Sequence, residues 1–382
     1  MEEEERPELV NSFPNNPVLL SLVMFGVAMV GSFIQITGGS WDVTSHLLLI
    51  PETFFTPSHI LLYSGVGLLV TCSVFAIYLL QKHKELRRMT FAISLKMIIV
   101  GSVVSLLAGP ADFLWHQAFG VDGLLSPTHI ALVSGMLTNS IAVVLGLARL
   151  PSYLERRNHK RLAKAISVPA FAAMWLTMVW YVYSFALPFS NGQNFNFNLD
   201  PIAETIIAII ALPLVGSIVF ITASKTVGRF GATFVTVVMI GINSGTNIVP
   251  ASPLVPYLPW YLALISIAFV ADLIISRSRD MVKTNATISG VPLTVVIAGS
   301  LIGSVFYLLG YPLLPMAFAG FLGYPDIDPI NDVTHMFVNT LNTMMPFTII
   351  VGAAMGIVGS LISEKKLLAY KPVEYGDPRK FV

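Results

Sequence analysis

Cysteine and charge are scarce in this chain. The only cysteine, Cys72, falls inside an apolar run, so neither a disulfide framework nor a cysteine metal site can be built. Charged residues make up 11% of 382, less than half the share of about 25% usual in a soluble domain. The formal net charge of +1 supplies no basic face, which argues against a nucleic-acid partner. There is no CxxCH haem motif, no HExxH zinc motif and no glycine-rich phosphate loop, and the HxxxH boxes of membrane di-iron hydroxylases are missing.

What fills the chain is hydrophobic residue, 55% of the total, gathered into apolar runs of roughly 20 residues, the length that spans a bilayer as a helix. The fold class expected is all-α, a polytopic transmembrane bundle of about ten spans in a lipid bilayer. The spans are predicted near 17–37, 57–80, 90–108, 127–148, 167–188, 202–224, 230–249, 257–276, 288–309 and 335–362. The segment 311–323 is too short to cross alone and reads as re-entrant or interfacial. Basic loops (81–88, 149–164, 224–229, 276–283 and the tail from Glu364) alternate with loops almost free of Lys and Arg (39–56, 109–126, 189–201, 250–256, 324–334). The positive-inside rule then puts both termini in the cytoplasm and the second set of loops outside. The organisation expected is an acidic cytoplasmic N-terminus (1–16) without the basic start of a signal peptide, a duplicated unit (17–149), a C-terminal membrane bundle (167–363) and a cytoplasmic tail (364–382).

The duplication is read by sliding the chain 70 residues along itself, which superposes segments 17–80 and 90–148. VGS at 30–32 then meets VGS at 100–102 and Gly39 meets Gly109; Asp42, His46, Pro57 and His59 meet Asp112, His116, Pro127 and His129. Each half is a span, an outer loop and a returning span, so the copies share one orientation, a parallel repeat. Each half also reads Asp-x3-His-x12-His. If the first helix of each pair runs on through Asp and His, the two side chains lie on one face, with Cβ atoms about 6 Å apart. Thr56 and Ser126 are expected N-caps, with Pro57 and Pro127 at the first helical position. His59 and His129 then stand in a first turn, where the helix dipole favours the neutral imidazole a metal needs. Two histidines and one carboxylate from two helices make an open metal site at the outer membrane face. A lone interfacial histidine is more often a cap or headgroup-level residue; six ionisable residues repeated at fixed spacing favour metal. Taken alone, the ligand set suits non-haem iron or zinc as well as copper.

WDVTSHLLLIPETFFTPSHILLYSG (41–65) and DFLWHQAFGVDGLLSPTHI (112–130) resemble the C subunit of copper-dependent membrane monooxygenases, the family of the particulate methane and ammonia monooxygenases and their hydrocarbon-oxidising relatives. The resemblance covers residues 30–140. It implies copper as cofactor, held by Asp42, His46 and His59 in one copy and by Asp112, His116 and His129 in the other. It also implies a prokaryotic cytoplasmic membrane, dioxygen and a small apolar substrate as reactants, and other monooxygenase subunits or further copies of the chain as partners. In the family a second nearby site begins with Asn, whereas both copies here begin with Asp, and the resemblance does not extend to residues 150–382. A metal transporter, or a copper-handling or assembly protein without oxygenase activity, is the alternative.

Other polar residues are secondary candidates. Asn331, Asp332 and His335 precede the last predicted span and are possible additional ligands, with helix capping as the plainer reading. Asp272, inside an apolar run, is a possible proton relay or the partner of a loop Arg. NSGTN (243–247) interrupts a span with small polar residues that would line a cavity or ease helix packing.

Overall fold

The computed structural model describes residues 16–47, 53–120, 125–186, 201–248, 258–280, 286–310 and 329–367. These residues form ten α-helices: α1 (Pro17–Leu47), α2 (Pro57–Lys82), α3 (Ala92–Phe119), α4 (Pro127–Arg149), α5 (Arg157–Ala186), α6 (Pro201–Val227), α7 (Gly231–Asn243), α8 (Leu258–Asp280), α9 (Leu293–Gly310) and α10 (Pro329–Ile362). The other regular pieces are single 3₁₀ or π turns and a two-residue hairpin, Thr287–Ile288 with Val291–Pro292, turned by Ser289 and Gly290 at positive φ. Seven helices are long and apolar enough to cross a membrane, α1 to α6 and the second half of α10; the apolar described parts of α7, α8 and α9 are shorter. The chain is therefore an all-α integral membrane protein. Unlike those of a soluble bundle, its helices are apolar on their outer faces as well as in the core. On α3, Val100, Leu107 and Leu114 are 58%, 67% and 64% exposed, while Ser102, Ser105 and Asp112 are buried. The predicted segment 311–323 and the loops at 189–200 and 250–256 lie outside the described residues.

Helix starts follow the proline and side-chain signals. Asn16 Oδ1 accepts from the amides of Val18 and Leu19 at 3.0 and 3.2 Å and opens α1. Pro57 and Pro127 stand at the start of α2 and α4. Many hydroxyls within spans bond a carbonyl of their own helix, as Thr37 that of Phe33 and Thr177 that of Ala173, both at 2.7 Å.

Several helices run further than the hydrophobic runs alone predict. α1 continues through Asp42 and on to Leu47, and α3 continues to Phe119, where the expected outer loop begins at 109. α5 starts at Arg157, so the basic stretch 157–164 is helical instead of loop. Polar residues limit how far a helix sits in lipid but not how far its backbone ladder extends, because helical hydrogen bonds serve equally well in the headgroup region.

α1 packs along α2 and α3 along α4, with α2 against α3 and α1 against α4 and α5. Glycines permit the close approaches. A Cβ on Gly65 would run into the Gln35 backbone, and one on Gly135 into the Ser105 backbone. On the other side of the bundle α9 and α10 cross through two GxxxG pairs. Gly299 meets Gly356 and Gly303 meets Gly352, so closely that any Cβ there would strike the partner's backbone. The core sits where α5 meets α1, α4, α6 and α7, around the fully buried Phe171 and Trp175, the latter edge-on to Phe220 at 4.8 Å between ring centroids.

Candidate metal centre

The C-terminal end of α3 and the first turn of α4 bring three sequence-predicted ligands together. Ligand atoms of Asp112, His116 and His129 lie within 4.8 Å of one another. Asp112 and His116 are one turn apart on α3, which places their side chains on one face. Pro110, two residues earlier, removes an amide from the α3 ladder just below the site. His129 comes from α4, whose cap is Ser126: its hydroxyl accepts from the His129 amide at 3.1 Å and fixes the turn that carries the imidazole.

The atoms converge closely. His116 Nε2 is 3.2 Å from His129 Nε2. His116 Nε2 lies 3.5 Å from Asp112 Oδ2, and His129 Nε2 lies 3.3 Å from Asp112 Oδ1. All three side chains are only 12–15% exposed. His116 Nδ1 is 3.2 Å from the Gly120 carbonyl, an acceptor only, so Nδ1 carries a proton and Nε2 is the nitrogen left to face the cluster. Asp112 Oδ1 is buried and accepts no hydrogen bond among the described residues, although His129 Nε2 stands 3.3 Å away. The Thr128 hydroxyl hydrogen-bonds the same carboxylate.

These donors fit a metal ion. With bonds of about 2.1 Å to each nitrogen, the 3.2 Å between the two Nε2 atoms subtends about 100° at an ion between them, near a tetrahedral angle. The carboxylate stands beside both, with Oδ2 on the His116 side and Oδ1 on the His129 side. An unpaired buried carboxylate oxygen beside two imidazole nitrogens is also the donor set a divalent or cuprous ion takes.

The corresponding residues of the first helix pair are arranged differently. His59 Nε2 contacts Asp42 Oδ1 at 2.8 Å, and the Ser58 hydroxyl donates to the same oxygen at 3.0 Å. Ser58 and Thr128, the hydroxyls that support the two carboxylates, are themselves 70 positions apart. His59 Nδ1 faces the Thr53 carbonyl at 2.8 Å and so carries a proton. Its Nε2 can then meet the carboxylate only across a second proton or a cation; this contact takes a positive charge either way. Thr56 occupies the N-cap position, but its hydroxyl bonds the Thr53 carbonyl at 2.7 Å and lies 3.0 Å from His59 Nδ1. Instead of capping α2 as expected, it orients the imidazole. His46 follows Asp42 by one turn on the α1 backbone, and its side chain lies outside the described residues.

Aromatic rings join the two places. Tyr63 stacks on His59 with centroids 5.7 Å apart, Phe54 lies 4.9 Å from Tyr63, and Phe113, next to Asp112, lies 5.2 Å from Phe54. Neither periodicity nor spacing announces this wall, because Phe54, Tyr63 and Phe113 come from a loop and two different helices.

The remaining candidates separate. Asn331, Asp332 and His335 lie in the first turns of α10, with side chains outside the described residues. Asp272 is a cap. Its oxygens accept from the amides of Ala232 and Thr233 at 3.3 and 2.8 Å and from the Thr233 hydroxyl at 2.7 Å, which closes the N-terminus of α7. NSGTN forms a π turn, Ser244–Ile248, whose Thr246 hydroxyl is 2.8 Å from that of Ser40 on α1.

Comparisons of the chain with models of known families, with curated proteins and with solved structures find no match.

Proposed function

We propose that the chain is a membrane-embedded metal-binding protein in which Asp112, His116 and His129 hold one transition-metal ion, with Asp42, His46 and His59 as a duplicated second ligand set. The observation that carries this reading is the approach of two imidazole Nε2 atoms to 3.2 Å beside a buried carboxylate oxygen that no donor among the described residues satisfies. The duplication draws support from contacts 70 positions apart: Gly65 against Gln35 and Gly135 against Ser105, then Ser58 on Asp42 and Thr128 on Asp112. The finer topology of the proposal is ten spans with both termini in the cytoplasm of a prokaryote and both ligand sets near the outer face.

The metal proposed is copper, and the activity oxidation of a small apolar substrate as a relative of the C subunit of particulate methane and ammonia monooxygenases. Both rest on the resemblance over residues 30–140. When bound, copper would supply one-electron redox chemistry toward dioxygen. The residues have simpler tasks. His116 and His129 present neutral nitrogens, Asp112 balances the cation's charge, and Gly120, Thr128 and Ser126 hold those three in place. The apolar outer faces of the helices exclude water from the flanks. Reductant and further subunits or copies of the chain would have to come from outside the sequence. A transporter would hold ligands at several depths; the ligands proposed here share one end of the bundle.

The test is metal analysis of gently purified protein beside His59→Ala and His129→Ala. Two independent sites predict loss of about one equivalent per substitution. Loss of all metal from either single variant would point to one shared centre, and a wild type without stoichiometric transition metal would overturn the reading.

A further inference from the structure

Further in from the carboxylates, the α3–α4 pair buries polar groups that find no hydrogen-bond partner among the described residues. Asn139 is fully buried; its Oδ1 is 3.5 Å from the Ser102 hydroxyl and its Nδ2 donates to nothing. The Ser105 hydroxyl, equally buried, has no hydrogen-bond partner. The three belong together. A Cβ placed on Gly101 would meet Asn139 Oδ1, and one on Gly135, one turn before Asn139, would meet the Ser105 hydroxyl. α1 carries the same feature at the same depth, where Ser32 Oγ and Gln35 Nε2 are buried and unpaired. Gln35 precedes Asp42, and Ser105 precedes Asp112, by two turns, about 10 Å of helix.

Unpaired amides and hydroxyls inside a membrane bundle are costly and mark a ligand. The chemistry here narrows the class. None of the five side chains is charged, which disfavours an ion, and an apolar molecule would leave the same donors unpaired. A small neutral molecule that both donates and accepts satisfies them, and water is the smallest.

We propose that Ser102, Ser105 and Asn139 form an internal water site two to three turns inward from Asp112, with Ser32 and Gln35 its counterpart on α1. The site does not depend on a metal at Asp112. It makes the inner side of the ligand layer wet within a bundle whose outer faces are apolar.

X-ray radiolysis of the full chain in lipid nanodiscs tests this, because hydroxyl radicals form wherever water resides. Met136 lies one turn from Asn139 and is buried, as is Met24 among the apolar core residues of α1. Met136 should oxidise several-fold faster than Met24. Asn139→Leu, which installs the residue found 70 positions earlier at Leu69, should bring Met136 down to the rate of Met24. Ser105→Ala, a milder change, should lower it partway if the leucine variant fails to fold. Equal rates for Met136 and Met24 in the wild type, or a Met136 rate that neither substitution moves, would overturn the proposal.

Discussion

Replacing His129 with Ala should remove most of the stabilisation that a bound metal gives the protein. A four-ligand structural zinc site gains roughly 10–16 kcal/mol, about 3 kcal/mol per ligand, or two decades in affinity. Any ligand that binds only the folded state stabilises it by RT ln(1 + [L]/Kd). At a free metal concentration of about 100 Kd for the wild type, that is about 2.7 kcal/mol. A variant with a hundredfold weaker Kd keeps about 0.4 kcal/mol at the same concentration, by the same relation. The geometry makes this loss specific, because His129 Nε2 is the atom that approaches both His116 Nε2 and Asp112 Oδ1. Unfolding in detergent can be followed by loss of helical circular dichroism. Cys72 gives an independent probe: it is the chain's lone thiol, it is buried 3% exposed, and it becomes alkylated only as the bundle opens. His159→Ala, in the basic first turn of α5, is the control. An apo-to-metal stability increment that is the same in His129→Ala as in wild type would refute the assignment of His129 as a ligand. An increment lost equally in His159→Ala would mean that the metal acts elsewhere.

Acid should release the metal. An imidazole ligand must be neutral and ordinarily titrates near about pH 6.5, so protons compete with metal below that pH and each proton displaced weakens binding about tenfold per unit. The metal-dependent increment is expected to be full at neutral pH and to vanish as pH falls toward 5; constancy over that range would speak against histidine ligation. Asp272→Ala should lower stability by about 2 kcal/mol, because it strips the acceptor from two amides at a buried helix start. Asp272→Asn should retain part of this, and neither variant should change metal content. A loss of metal in Asp272→Asn at unchanged stability would restore the relay reading.

The spacing of the ligands could be read because two periodicities protect it. Four residues on a helix bring Asp and His to one face, and Pro57 and Pro127 mark where the returning helix starts, whatever lies between. The extension of α1 and α3 past their apolar runs could only be posed as a condition, since a helix in the headgroup region needs no hydrophobic signal. Thr56 and Ser126 show the limit of local chemistry. They are equivalent in sequence, but only Ser126 caps its helix, because the Thr53 carbonyl lies within reach of the Thr56 hydroxyl. Asp272 had no legible partner for the same reason: the amides it satisfies belong to a helix 40 residues earlier.

By itself, the sequence determined a helical membrane chain, the starts of α1, α2 and α4, and two sets of Asp, His and His at one spacing. Those properties depend on hydrophobicity and on contacts within a few residues. Only the tertiary structure decided that Asp112, His116 and His129 meet at one point, while Asp42 takes its second partner from Ser58 on α2 and His59 from the Thr53 carbonyl in the loop before it. It also decided that Ser102, Ser105 and Asn139 are buried together, and that Tyr63, Phe54 and Phe113 pack in a row between the two ligand sets. Each of these depends on how two helices cross, and the crossing is set by where glycine lets backbones touch.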